Sequence, residues 1–189
     1  MATIHIKDIK EIDEQVTFTI DVDGFISRGT VLTIFLNGAY KIYVQSGMTP
    51  EDAKEAAIVE VNSETDFVAK NDTFRTYVAE VADQALTTKA ADIEGFLAEE
   101  SKAEAGKTVK EALDGKIAVI GENLNIRRFA KVSAADGFVA SYIHAGGKIG
   151  VLVEVATDVV NDEIKEMAKN VEMQVAAISP KYTRKTWKK

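Results

Sequence analysis

The chain carries few side chains of the kind that make or break covalent bonds. Its 189 residues include no Cys and only two His, His5 and His144. That removes thiol nucleophiles, thiolate zinc sites and disulfide frameworks, and a reducing compartment fits best. Neither G-x-x-x-x-G-K-S/T nor G-x-G-x-x-G occurs; Gly146-Gly147-Lys148 lacks the upstream Gly and is followed by Ile149, so it reads as a hairpin turn and not as a phosphate cradle. H-E-x-x-H and G-x-S-x-G are absent as well, which leaves metal-assisted and acyl-transfer chemistry without a visible home. The carboxylate pairs Asp92/Glu94 and Glu99/Glu100 fall in an acidic stretch that solvated surface explains, with a catalytic pair as the alternative. The reading expects no catalytic residue, no metal ligand and no cofactor.

What remains is Asn62-Ser63-Glu64-Thr65-Asp66-Phe67-Val68-Ala69-Lys70-Asn71-Asp72. Most of this run is polar or charged, so it is expected to be a surface loop, yet Phe67 and Val68 sit at its middle, where a solvated loop has no reason to keep them. Two readings stand side by side. Phe67 either folds back as a hydrophobic staple on the following helix, or is presented to a partner, where its burial in a cleft contributes roughly 1.5–3 kcal/mol. Asp66 beside it adds a charge able to disturb a neighbouring cation site.

The elements that must position this run follow from periodicity. Residues 4–45 alternate with period two and are β-branched, as in Val16-Thr17-Phe18-Thr19-Ile20 and Tyr40-Lys41-Ile42-Tyr43-Val44, with Asn37-Gly38 the best hairpin signal. Thr49-Pro50-Glu51-Asp52 offers a helix start. Residues 56–61 read as a short apolar strand. Phe74, Tyr77, Val78, Val81, Ala85 and Leu86 then mark one face of a helix capped by Asn71 or Asp72. Residues 90–106 are acidic and Ala-rich, a second helix with its loop. Thr108 and Glu111 form a capping box and Gly121 a stop. Strands are expected over residues 126–132, 138–143 and 148–155, and a last helix presents Ile164, Met167, Ala168, Val171, Val175 and Ile178 before Pro180 ends it.

A weak internal repeat joins these pieces. Ile58-Val59-Glu60-Val61, then Thr65-Asp66-Phe67-Val68, then a helix, is echoed by Leu152-Val153-Glu154-Val155, Thr157-Asp158-Val159-Val160 and a second helix. The longer, aromatic first copy is the better functional candidate. The expected fold is therefore α+β: two related subdomains of short antiparallel sheets packed with helices, preceded by a β-rich N-terminal segment. The boundaries are drawn as residues 1–47, 48–132 and 133–189.

Residues 58–72, Ile58-Val59-Glu60-Val61 followed by the run quoted above, closely resemble the signature of the elongation factor Ts family, nucleotide-exchange factors for the translational GTPase elongation factor Tu. Ile120-Gly121-Glu122-Asn123-Leu124-Asn125-Ile126-Arg127-Arg128-Phe129 is similar to the family's second signature, and Ser141-Tyr142-Ile143-His144-Ala145-Gly146-Gly147-Lys148 opens what looks like the third. Ala176-Ala177-Ile178-Ser179-Pro180-Lys181-Tyr182 resembles the helix exit ahead of the family's coiled-coil insertion. The resemblance covers residues 56–182. It implies that Thr65, Asp66, Phe67 and Val68 form the segment that dislodges Mg²⁺ in the GTPase, with Phe67 wedged between two helices of its nucleotide domain and Asp66 in contact nearby. Ile120 and His144 match further contact positions; for His144 a hairpin histidine satisfied locally is the alternative. The family's opening three-helix module, with its T-G-A-G-like turn, has no counterpart in residues 1–47, and no coiled coil follows Tyr182. A divergent member, a fragment and a core fused to an unrelated β segment all stay open.

Charge bounds the partners. The formal charge is −7, and residues 181–189 hold five bases and no acid, which leaves −12 on the remainder. Such a surface repels phosphate backbones and membranes, and no apolar run approaches the ~20 residues of a membrane span. The expected location is the cytoplasm, or an organellar matrix if the chain is imported. Three functions are weighed. One is a guanine-nucleotide exchange factor for elongation factor Tu, an interaction protein and not an enzyme. The second is a docking core or fusion that binds without exchange. The third is weak nucleic-acid binding through the basic tail, with Tyr182 and Trp187 interleaved.

Overall fold

The computed structural model describes residues 54–177 with their side chains, the backbone of Ile178 and, ahead of them, the backbone of four strands, β1 (Ile4–Ile12), β2 (Gln15–Val22), β3 (Phe25–Phe35) and β4 (Tyr40–Ser46). Then come β5 (Glu55–Asn62), α1 (Asp66–Lys70), α2 (Asp72–Thr87), α3 (Ile93–Ala98), α4 (Val109–Ile120), β6 (Asn125–Ser133), β7 (Phe138–His144), β8 (Ile149–Ala156) and α5 (Asp162–Ile178). The expected α+β class, short antiparallel sheets with helices, is what the chain forms. The helix start at Thr49-Pro50 and the basic tail lie outside the described residues.

Two antiparallel sheets carry the fold, one in the order β1-β2-β3-β8-β7 and the other β4-β5-β6. The strands of residues 1–47 are divided between them: β3 pairs with β8, Leu32 opposite Leu152, whereas β4 pairs with β5, Tyr43 opposite Val59. This overturns the hairpin expected at Asn37-Gly38, residues that themselves lie outside the described set, because the strands flanking them join different sheets. The reason is tertiary. β5 is buried along almost its whole length and so is β8; a strand apolar on both faces is stable only at the centre of a sheet, and each takes a partner on either side.

Both faces of those central strands are accounted for by three clusters. Ala57, Val59 and Val61 of β5 meet Phe74, Tyr77, Val78, Val81 and Ala85 of α2, with Phe96, Leu113 and Ile126 closing the cluster. Val151, Val153 and Val155 of β8 meet Phe138 and Ala140 of β7 and Ala168 and Ala176 of α5. The alternate residues, Ala56 and Ile58 on β5 with Val139 and Leu152, pack the two sheets on each other. The period of two sends one set of side chains to a helix and the other to the second sheet, so the layers run helix, sheet, sheet, helix.

The helix ends follow local rules. Thr108 Oγ1 accepts from the Glu111 N–H at 3.1 Å while the Glu111 carboxylate accepts from the Thr108 N–H at 2.7 Å, which makes the expected capping box. Those bonds hold the Glu111 carboxyl below its ordinary value. Gly121 ends α4 at φ 78, a left-handed position that suits glycine. The acidic stretch yields only the six residues of α3 and a long turn, shorter than its Ala content suggests. Gly137, at φ +90, opens β7 against β8: a Cβ there would lie 1.9 Å from the Val155 carbonyl oxygen, so glycine is required by space as well as by conformation.

Candidate functional site

The run 62–72 is not a loop. Its centre winds into α1, five residues held between two caps. At the start, Thr65 Oγ1 accepts from the Val68 N–H at 3.3 Å, and the Thr65 carbonyl accepts from the Ala69 N–H at 3.1 Å. At the end, Asn71 ends α1 and starts α2: its N–H donates to the Val68 carbonyl at 2.9 Å while its Oδ1 accepts from the Thr73 N–H at 2.8 Å. Because Asn71 itself is extended, φ −67 and ψ 136, the chain turns sharply between the helices without an intervening loop. Five residues are far too few to form a helix unaided, and α1 buries only Ala69 fully. Caps and neighbours must therefore supply its stability.

Helical periodicity sorts the side chains of this short element. Val68 and Ala69 turn inward, Val68 half-buried against the first core, while Asp66, Phe67 and Lys70 share the outer side. Phe67 is 87% exposed, the most exposed large apolar side chain of the described residues. A ring this exposed is not folded back as a staple on α2. A phenyl group held in water costs free energy of the order of its transfer, roughly 1.5–3 kcal/mol.

A second segment reaches α1 from the far side of the chain. Glu122, two residues beyond α4, accepts from the Thr65 N–H through Oε2 at 3.0 Å and from the Thr65 hydroxyl through Oε1. The hydroxyl thus donates to Glu122 and accepts from Val68, and the carboxylate of one motif locks the cap of the other. Close by in sequence, Val119 on the last turn of α4 is 77% exposed, whereas its neighbour Ile120 is half-buried against the first core.

A family model described as Elongation factor TS matches residues 64–187. The chain belongs to the elongation factor Ts family. Similar proteins bear this out. An elongation factor Ts of Clostridioides difficile is 52% identical over 132 residues, covering 70% of this chain and 43% of the relative. One from Clostridium botulinum strain Alaska E43 is 47% identical over 148 residues, covering 78% of this chain and 46% of that protein, and one from Trichlorobacter lovleyi is 50% identical over 129 residues, covering 66% and 42%. The chain spans less than half the length of these curated relatives.

The match opens at Glu64, just ahead of α1, so in this elongation factor Ts family member both the Thr65 cap and Glu122 fall inside the family region. Of the six residues singled out from sequence, Thr65, Asp66, Phe67 and Val68 form one element, and Ile120 is tied to it through the neighbouring Glu122. His144 stands apart, exposed at the end of β7 in the other sheet, with its Nδ1 2.9 Å from the Tyr142 hydroxyl. Its carbonyl accepts from the Gly147 and Lys148 N–H groups, so the Ala145-Gly146-Gly147 turn forms as expected.

Two residues escaped the sequence reading. Glu122 was part of a quoted motif but had no role; its only sequence signal is a carboxylate directly after a helix-stop glycine. Glu60 lies fully buried in β5, and Arg127 Nη1 and Arg128 Nε meet its two oxygens at 2.9 and 2.6 Å. One carboxylate inside the apolar run 56–61, with an Arg-Arg pair on a later strand, was the available clue; Arg128 proves to be its register partner and Arg127 lies at the adjoining register shift. Among the described residues, no helix is long and apolar enough to cross a membrane.

Proposed function

We propose that this chain is a guanine-nucleotide exchange factor acting on elongation factor Tu in translation elongation, with α1 as its working end. The observation that carries the reading is the exposed Phe67 ring on an element otherwise fixed at both ends. A free loop would spend its binding energy on ordering itself; a capped helix arrives ordered, so more of the ring's burial is left for the partner. The ring enters an apolar crevice of the GTPase, and Asp66, on the same outer side, brings a carboxylate toward the bound Mg²⁺ and diphosphate. Ile120 supports the surface from beneath, and His144 is a further contact from the second sheet.

Exchange by this route breaks no covalent bond. Factor and nucleotide each weaken the other's hold by the same coupling free energy, so release speeds up while the overall equilibrium between GDP- and GTP-bound GTPase is unchanged. The factor needs no nucleotide pocket of its own, and it works wherever its GTPase does, in the cytoplasm or an organelle matrix.

The test is release of a fluorescent GDP from elongation factor Tu. The whole chain is used, since residues 1–47 include four strands of the two sheets. The intact chain is expected to accelerate release, and Phe67→Ala to lose most of that acceleration while unfolding at the same temperature. Binding to the GTPase by calorimetry with no faster release would replace exchange by simple docking.

A further inference from the structure

We propose that Glu122 is the positioning residue of the exchange site: its carboxylate holds the cap of α1 and thereby keeps Phe67 presented. The inference rests on the exchange reading above and assigns the device on which that site depends.

Three observations converge on it. The first is economy of support. α1 has five residues and one fully buried side chain, so burial cannot hold it, and the exposed Phe67 ring adds nothing to its stability. The second is the bonding pattern. Glu122 uses both oxygens on one residue, accepting from the Thr65 N–H at 3.0 Å and from its hydroxyl. With its proton committed to Glu122, the hydroxyl presents a lone pair to the Val68 N–H at 3.3 Å. A hydroxyl that donates to a charged acceptor becomes a better acceptor itself, because hydrogen bonds in a chain polarise one another. Ser63 Oγ completes the turn from the other side, donating to the Thr65 carbonyl at 3.2 Å.

The third observation is where Glu122 comes from. It follows Gly121, whose left-handed conformation ends α4, and Ile120 before that is packed into the first core. The carboxylate is therefore carried by a segment anchored at once by a helix end and by a half-buried side chain packed on the first core, and its reach to Thr65 spans 57 positions of sequence. This clasp ties α1, which carries Phe67, the most exposed large apolar side chain of the described residues, to the end of α4. An apolar crevice on the partner meets the ring only if α1 is held in place, and Glu122 is what holds it.

A residue that acts through Phe67 has a signature that a merely stabilising residue lacks. Glu122→Ala is expected to lower the maximal rate of factor-stimulated GDP release about tenfold, the scale of two lost hydrogen bonds, with the thermal midpoint of the chain little changed. Glu122→Gln, which keeps the shape and one carbonyl acceptor, is expected to fall between the two and guards against a folding defect in the alanine variant. In the Phe67→Ala background the same Glu122→Ala change is expected to cost nothing further, because the prong it positions is gone. Stimulated release within twofold of the unmodified chain, or losses that multiply in the double variant, would overturn the proposal.

Should the unmodified chain fail to speed release at all, the exchange reading falls, and hydrogen exchange of the amides of residues 66–71 judges the clasp by itself. Selective loss of their protection in Glu122→Ala supports it. Protection equal to that of the unmodified chain refutes it.

Discussion

Among the described residues, Glu172 is a buried carboxyl without full hydrogen bonding, and its discomfort has a measurable size. This residue of α5 is 3% exposed, its Oε1 has no hydrogen-bond partner among the described residues, and it lines a groove of about 510 Å³ between α5 and β7. Burial raises its pKa from the ordinary 4.5 to about 8, against a smaller opposing pull from Lys169; Lys165, Glu166 and Tyr142 are the other titratable side chains lining the groove. The sign follows from proton counts. Between those two values the folded chain keeps a proton that the unfolded chain has released, so stability falls as pH rises through the window and is fully present only below the lower value. At about 1.36 kcal/mol per unit, roughly 2.5 units of the shift are felt at pH 7, a cost of about 3 kcal/mol.

Glu172→Gln mimics the protonated side chain and cannot titrate. Urea unfolding of both proteins is expected to give stabilities within about 1 kcal/mol of each other at pH 5 and a Gln variant more stable by about 3 kcal/mol at pH 7, widening toward pH 8. Taking the difference between two chains that share every other carboxylate cancels the remaining acid titrations. A gap that stays constant from pH 5 to pH 8.5 would mean that Glu172 is ionised in the folded state, and the account of its burial would be wrong.

Other perturbations separate structure from surface. Phe67→Ala is expected to change unfolding stability by no more than about 0.5 kcal/mol, as at other exposed positions, checked by urea titration; a larger loss would mean that the ring supports the fold. Gly137→Ala places a methyl group against the Val155 carbonyl in a left-handed conformation, and a loss of at least about 3 kcal/mol is expected by the same measurement. Arg128→Met removes the closer of two cations from the fully buried Glu60 carboxylate and is expected to lower stability by about 3 kcal/mol, the scale for uncovering one partner of a buried pair; equilibrium unfolding showing a loss under about 1 kcal/mol would mean that Arg127 alone suffices.

Local chemistry was legible where partners sit a few residues apart. The Thr108 capping box, the Gly121 stop, the Asn71 cap and the apolar face of α2 each depend on groups within a turn or two, so the sequence states them directly. The motifs at residues 58–72 and 120–129 also announced the family, although not what either does in space. The same local logic misled at Asn37-Gly38, where a good turn signal says nothing about which strands the flanking residues prefer. It misled again at residues 66–70, where polarity argued for a loop and a helix formed between the Thr65 and Asn71 caps, the first of them held by the distant Glu122.

What the amino-acid order settled alone was therefore the class of fold, the helix ends and the segments worth watching, since these depend on periodicity and near neighbours. Tertiary structure decided the rest: which sheet each strand joins, whether Phe67 is tucked in or held out, and that Glu122 reaches Thr65. Each is a competition between burial sites or a contact between distant segments. Its outcome depends on where both faces of β5 and β8 can be covered at once, a condition that no stretch of sequence contains by itself.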